Sequence, residues 1–300
     1  AVIHPDAIRH WGKNIGFFGC FECIDDQQAA NMLLSAGAEW LKSHQMAIMR
    51  GPDNLESQDL GFILSGFDVS PVILSSWNYP YYNRLAENFG LQKAKDLYVY
   101  SIDIEQGYVF PERFLNLTEK IARRYKVTIR MFDMKHILDE ARLIIQLFNK
   151  ALMDNWDCYP IDEAEAEPLV KALKPIVDPR LIYFAYAGSE PIGVALTLPD
   201  INRLLVGLNG RLFPVGAFRL LTGLKKLRYY RMWALGVVPE YHHKGIDVLL
   251  YKKLYDELYH KKVRLEANHI LEDNYLMNAA LKKMNFEMNK VYRVYEMPLE

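Results

Sequence analysis

Tyr241-His242-His243-Lys244-Gly245-Ile246 joins a run of strand character, ending at Pro239, to a long amphipathic helical run. In that helix Ile246, Leu249, Leu250, Leu254 and Leu258 recur at steps of three and four. They form one apolar stripe that reads as core, while Lys252, Lys253, Asp256 and Glu257 face solvent. Where a strand enters a helix through a glycine turn, the first N–H groups of the helix have no intrahelical acceptor. The helix dipole adds attraction for negative charge, so the turn is expected to seat a phosphate-bearing ligand. Downstream, a second strand ends at Leu271-Glu272-Asp273-Asn274, and a short helix and a closing strand complete residues 227–296.

The bulk numbers restrict what surrounds this turn. Three hundred residues suit two domains of ordinary size, and 51% hydrophobic with 24% charged residues is a globular composition. A net charge of −1 gives no basic excess, so nucleic acid is not expected as a partner. No apolar run approaches the ~18 residues of a membrane helix and no secretory signal opens the chain, so no membrane partner is expected. Cys20, Cys23 and Cys158 are the only cysteines, which suits a reducing, cytoplasmic setting. Cys20 and Cys23 form a C-x-x-C within Gly16–Cys23, which reads as a strand where positions three apart face opposite ways. A structural role is expected for them. His242 and His243 are adjacent, point apart and have no evident third ligand, so no metal site is expected.

A similar order of elements precedes this region. Ile15–Cys23 reads as a strand and Gln27–His44 as a helix with Ala29, Met32, Leu33, Ala36, Trp40 and Leu41 on one face. Met46–Arg50 is a strand, Tyr82–Phe89 a helix and Leu97–Ser101 a strand. At a constant offset of 195, Asn83 falls on Asn278, Lys95 on Lys290, Val99 on Val294 and Tyr100 on Tyr295. Asn88-Phe89-Gly90-Leu91 falls on Lys283-Met284-Asn285-Phe286, and an internal duplication is inferred. The first copy carries an insert, 55–77, between its second strand and second helix. Its first turn, Ile24-Asp25-Asp26-Gln27-Gln28, has two carboxylates and no glycine and is expected to have lost the anion seat. Between the copies, Pro111–Arg124 reads as a connecting helix, Val127–Met131 as a strand, and Ile137–Trp156 and Glu163–Leu173 as helices. Leu181–Ala187 and Pro191–Leu198 form a hairpin around Gly188-Ser189-Glu190, and Ile201–Leu227 reads as helical pieces capping the site.

The second half resembles the GNAT superfamily of acyl-CoA-dependent N-acyltransferases. Its order from Val127 (strand, two helices, three strands, helix, strand, helix, strand) is that fold's order. The superfamily motif Gln/Arg-x-x-Gly-x-Gly/Ala falls on His242-His243-Lys244-Gly245-Ile246-Asp247, and Asn274, Leu281, Asn285 and Phe286 stand at its downstream positions. More narrowly, the chain resembles a bacterial group of tandem GNAT proteins. The residues that carry this include Gly16-Phe17-Phe18-Gly19, Arg50-Gly51-Pro52-Asp53-Asn54, Gly66-Phe67-Asp68, Leu198-Pro199-Asp200-Ile201-Asn202, Leu271-Glu272-Asp273-Asn274 and Tyr292-Arg293-Val294-Tyr295. The resemblance implies an α/β (α+β) chain of tandem GNAT-like domains with a mixed central sheet flanked by helices. Residues 1–103 would be a degenerate first copy lacking its front, 104–126 a linker helix and 127–300 a complete domain.

The resemblance implies acetyl-CoA or another acyl-CoA as cofactor and a small-molecule amine as acceptor. Cofactor contacts would come from Leu235, Val237 and Val238 on the strand, from His242, His243, Lys244, Gly245 and Ile246 in the turn, and from Asn274. Asn274 reads equally as a helix cap. A backbone N–H near Leu235 or Val237 would stabilise the thioester oxygen as it gains charge. Glu266 is the first choice of base, with Glu240 and Glu272 as alternatives. Leu281 stands where the superfamily often has an acidic tyrosine, so Tyr295, Tyr292 or Tyr241 would have to supply a proton. His242 replaces the usual Gln or Arg. Asp247 replaces a small residue and would either oppose phosphate or complement the helix start. Two further readings stay open: a non-catalytic CoA-binding or scaffolding protein, and an acyltransferase using a longer acyl-CoA or an acyl-carrier protein.

Overall fold

The computed structural model describes residues 1–53, 60–211 and 213–299. The first stretch contains α1 (Pro5–Trp11), β1 (Ile15–Phe17), α2 (Gln27–Ser43), β2 (Ile48–Gly51), β3 (Phe62–Ser65), α3 (Tyr81–Phe89) and β4 (Gln92–Asp103). Next come α4 (Glu112–Tyr125), β5 (Val127–Met131), α5 (Ile137–Ala151), α6 (Ala166–Leu173), β6 (Ile182–Ala187) and β7 (Glu190–Pro199). The chain ends with α7 (Asn202–Leu205), α8 (Val215–Gly223), β8 (Tyr229–Val237), α9 (Ile246–Tyr259), β9 (Arg264–Leu271), α10 (Tyr275–Lys283) and β10 (Glu287–Pro298). The insert read at 55–77 begins within residues 54–59, which lie outside the described residues.

Packing divides the chain into two units that differ from the sequence division at 103 and 127. One holds 1–100, 269–279 and 288–300; the other holds 101–268 and 280–287. The physical reason is an exchange of closing strands between the two copies. In the first unit β10 pairs with β3 (Tyr292 opposite Ile63) and with β2 (Tyr295 opposite Gly51). The closing strand of the second copy thus lies on strands of the first. Reciprocally, Glu272 N–H at the end of β9 donates to the Asp96 carbonyl of β4, the first copy's closing strand.

Side chains record the same exchange. Tyr295 Oη donates to Asn83 Oδ1 at 2.9 Å and Tyr100 Oη donates to Asn278 Oδ1 at 2.8 Å, so residues related by the offset of 195 form two crossed pairs. Each asparagine also donates to the strand before its helix, Asn83 to Ile63 O and Asn278 to Leu271 O. The helix ends match as well. Leu91 N–H bonds Ala86 O and Phe286 N–H bonds Leu281 O, around left-handed residues Gly90 and Asn285. Arg293 grips Asp96 at 2.8 and 3.0 Å. Burial pushes the Asp96 carboxyl up, but the bonds from Arg293 and Lys93 prevail and hold it below the usual carboxylate range.

Two sequence expectations in this unit are corrected. The strand at Ile15 ends at Phe17, and Cys20 takes a left-handed φ of 48°, so alternation does not govern the C-x-x-C. In α2 the buried residues are Ala30, Leu34 and Leu41, whereas Met32, Leu33 and Trp40 are exposed. The helix seats Ala30, Leu34 and Leu41 in the core and leaves a second apolar stripe outside.

In the other unit the strand order is β9-β8-β7-β6-β5. The hairpin of β6 and β7 forms as the alternation predicts. α9 buries Ile246, Leu249, Leu250, Leu254 and Leu258, all the stripe residues, together with Val248 and Tyr251. At ~25 cal/mol per Å² of apolar area removed from water, burying each such side chain contributes about 1.5–3 kcal/mol. That anchorage fixes the turn preceding α9.

Candidate functional site

The site begins with how β8 loses one neighbour. β8 pairs antiparallel with β7 from Pro199–Tyr230 to Gly193–Val237, and the register shifts between Leu196 (opposite Ala234) and Thr197 (opposite Met232). Trp233 is therefore an extra residue, a β-bulge that bends the strand. On its other edge β8 pairs in parallel with β9 only from Tyr229–Arg264 to Met232–Ala267, although β8 continues to Val237 and β9 to Leu271. The two strands part at the bulge.

Backbone direction alternates along the rest of β8. Val238 N–H donates to Ile192 O on the β7 side. Gly236 faces the same way, so the N–H and C=O groups of Leu235 and Val237 face the edge β9 has left. Leu235 and Val237 are two of the three strand residues expected to hold the cofactor; the third, Val238, turns its N–H to Ile192 O instead. The Val237 carbonyl already has a partner, His242 Nε2 at 2.8 Å. His242 therefore ties the turn to the strand end, where a phosphate ligand was expected.

The turn itself is partly filled by its own side chains. Gly245 is left-handed (φ 75°), and a Cβ there would come 2.7 Å from Ile121 Cδ1 on α4. Lys244 Nζ sits 4.2 Å from the Tyr241 ring centre and 5.6 Å from that of Tyr125, a cation–π clasp. His243 is exposed with φ 59°, while Ile246 is core, so only its N–H faces the turn. Burial raises the Asp247 carboxyl above its ordinary value, against hydrogen bonds from the N–H groups of Val248 and Asp247 itself and the nearby His242. The Asp247 carboxyl lies beside the amides that open the helix, Val248 N–H bonds Gly245 O at 3.2 Å, and an anion is left the amides from His243 to Ile246.

The candidate acid–base groups separate clearly. Glu266 is 2% exposed on β9, and its register partner on β8 is Arg231, 1% exposed. Asn268, 3% exposed, lies two residues further along β9 on the same side. This places one carboxylate, one guanidinium and one amide side by side at the parting of the strands. Arg231 and Asn268 were not expected; a charged residue inside the apolar run of β8 was the signal. Thr197, fully buried on β7, has no hydrogen-bond partner for Oγ1 among the described residues. Glu240 is exposed in the turn after β8.

The other expected residues lie elsewhere. Tyr295 is fully buried in the first unit, with its hydroxyl against Asn83 Oδ1 and Glu87 Oε1 (3.0 Å). Burial, then the bond to Glu87, drives its acidity well down, and its ring is closed off from any substrate. Its role as an acid is corrected to that of a core hydrogen-bond donor. Tyr292 is equally buried and donates to Ser76 O. Asn274 accepts from Met277 N–H at 3.0 Å, so the helix-cap reading holds. Leu281 is fully buried core. Among the described residues no group of acidic, His or Cys side chains could hold a metal.

No family model matches the sequence. Protein YghO of Escherichia coli is 33% identical over 296 residues, which is 96% of this chain and 75% of that protein. The bacterial ceramide synthase of Caulobacter vibrioides is 30% identical over 302 residues, 96% of this chain and 76% of that protein. Among solved structures, a GCN5-related N-acetyltransferase from Sphaerobacter thermophilus superposes with a TM-score of 0.53 at 13% identity, covering 90% of this chain and 67% of that one. A tandem GNAT protein from the clavulanic acid biosynthesis pathway superposes at 0.50 and 11%, covering 90% and 69%. These structures share the fold. The chain belongs to the family that holds Protein YghO and the bacterial ceramide synthase, and its fold is that of the GNAT structures.

Proposed function

We propose that the protein is an acyl-CoA-dependent N-acyltransferase that moves a long acyl chain onto the amine of a lipid-like acceptor. The single observation that carries the reading is the β8 edge after Trp233, where Leu235 and Val237 present backbone groups to the space left by β9. An amide-bearing pantetheine arm can pair with that edge as a strand would. The amides from His243 to Ile246 would hold the diphosphate, helped by Lys244 once it leaves its two rings. Acyl-CoA supplies an activated thioester carbonyl.

The chain's own residues carry the rest. The amine nitrogen attacks the thioester carbon, a C–N bond forms and the C–S bond breaks. Glu266 takes the proton lost by nitrogen, with Arg231 beside it across the strand pair. Leu235 or Val237 N–H donates to the oxygen that gains charge. The departing sulfur takes its proton from solvent or from Tyr241, the partly exposed one of the three candidate tyrosines.

Long-chain rather than acetyl transfer is favoured by the name of one relative, a ceramide synthase, and by the apolar segment 201–227. Release of CoA thiol from a donor series running from acetyl to palmitoyl, with a long-chain amino alcohol and with a short polar amine, tests this. Turnover is expected to rise with chain length and to require the amino alcohol. Best turnover with acetyl-CoA and the short amine would overturn the substrate class. Tight CoA binding with no turnover would favour a non-catalytic CoA-binding protein, the reading that Asp247 over the amides and Leu281 support.

A further inference from the structure

Residues 201–228 differ in charge from the rest of the chain. They contain Arg203, Arg211, Arg219, Lys225, Lys226 and Arg228 and no aspartate or glutamate, in a protein whose net charge is −1. The segment carries α7 and α8, and several large apolar side chains of its described residues stand in solvent: Phe213 is 81% exposed, Val206 and Phe218 70% and Val215 69%. Three of its cations are engaged elsewhere. Arg203 pairs with Asp200 and stacks on Tyr229, Arg228 pairs with Glu105, and Arg219 donates to Val206 O. Arg211, Lys225 and Lys226 have no acidic partner among the described residues.

Side chains this exposed have no pocket of their own, and water is a poor solvent for them. An exposed apolar segment that carries six cations and no acid of its own matches the headgroup and outer acyl layer of an anionic bilayer. No described helix is long and apolar enough to cross a membrane, so the segment would lie on the surface. We propose that residues 201–228 dock the protein onto an anionic lipid surface, with Phe213, Val215 and Phe218 inserted and Arg211, Lys225 and Lys226 at the headgroups. This goes against the expectation of no membrane partner, which rested on the absence of a spanning segment and on whole-chain charge, neither of which detects a local basic, apolar patch. It goes beyond the transferase reading and does not need it, because the readout is lipid binding.

Cosedimentation of the full chain with vesicles of phosphatidylcholine alone, and of phosphatidylcholine with phosphatidylglycerol, tests it. Wild type is expected in the pellet with the anionic vesicles and in the supernatant with the neutral ones, with binding falling as salt rises. Phe213→Glu with Phe218→Glu, and separately Lys225→Glu with Lys226→Glu, should each lower the partition coefficient roughly tenfold or more. Unchanged circular dichroism and thermal midpoints would show that both variants fold; if the phenylalanine pair misfolds, the lysine pair still decides. Wild type that stays in the supernatant with both vesicles overturns the proposal. Variants that bind as wild type does overturn it too. So does loss of self-association, or of binding to an acidic acyl-carrier protein, in those variants without any vesicle binding by the wild type.

Discussion

Replacing Tyr295 with phenylalanine removes one oxygen and tests the exchange of closing strands. The Tyr295 hydroxyl lies against Asn83 Oδ1 at 2.9 Å and Glu87 Oε1 at 3.0 Å, and the ring is fully buried. Phenylalanine keeps the packing and deletes the donor. Glu87 is half-exposed and can turn to water, but Asn83 is 8% exposed and its side-chain oxygen stays buried without a partner. One lost hydrogen bond with a stranded buried acceptor costs about 1–3 kcal/mol. Tyr100→Phe strands Asn278 Oδ1, 7% exposed, in the same way and belongs in the same range. For a domain of this size a loss of about 2 kcal/mol lowers the thermal midpoint by roughly 4–8 °C. Urea unfolding followed by circular dichroism measures both variants. Two crossed pairs predict comparable losses in each. A change within about 0.5 kcal/mol for both variants, the usual range for surface substitutions, would refute the crossed hydrogen bonds.

Three further outcomes follow from the site. Glu266→Gln keeps the shape beside Arg231 and removes the base, so kcat should fall about 10²–10⁴-fold with little change in KM, while Glu240→Gln stays near wild type; the reverse pattern would assign the base to Glu240. Asp247→Asn should tighten CoA binding in calorimetry, because the charge opposing phosphate is gone. The same variant should be more stable than wild type at neutral pH. Burial raises the Asp247 carboxyl, so stability is lost as pH rises from the ordinary carboxylate range through its folded value; the gap should close below the ordinary range, and urea midpoints that keep the gap in acid would contradict this. Gly245→Ala puts a Cβ at a φ of 75° against Ile121, which should cost about 1 kcal/mol or more and loosen the turn; an unchanged urea midpoint would count against the left-handed turn.

Much of the fold was legible because it is local. The stripe of α9 and the β6–β7 hairpin depend on spacing within a few residues and formed as read, whereas the helix read as Ile137–Trp156 stops at Ala151 and the one read from Glu163 is α-helical only from Ala166. The offset of 195 aligned Gly90 with Asn285, and both residues take a left-handed conformation at a helix end. The exchange of β4 and β10 is a long-range pairing, and nothing in either strand names its partner; hence the division at residues 103 and 127 does not match the packing units. The bulge at Trp233 was equally hidden, since an apolar strand reads the same with or without an extra residue. At the site, Leu235, Val237, Gly245 and Glu266 are brought to the parting of β8 and β9 or to the turn that follows. Tyr295 was misread because an abundant tyrosine gives no sign of whether its hydroxyl meets substrate or an internal acceptor. The His242–Val237 bond was missed because a motif position was read for a ligand before the chain's own carbonyls were considered.

The account rests on the open edge of β8 receiving an acyl donor. Hydrogen–deuterium exchange of the full chain, with and without saturating CoA, reads that edge directly. Leu235 and Val237 N–H are predicted to exchange several-fold more slowly with CoA bound, together with the amides from His243 to Ile246. Saturating binding that leaves Leu235 and Val237 unchanged would contradict the account.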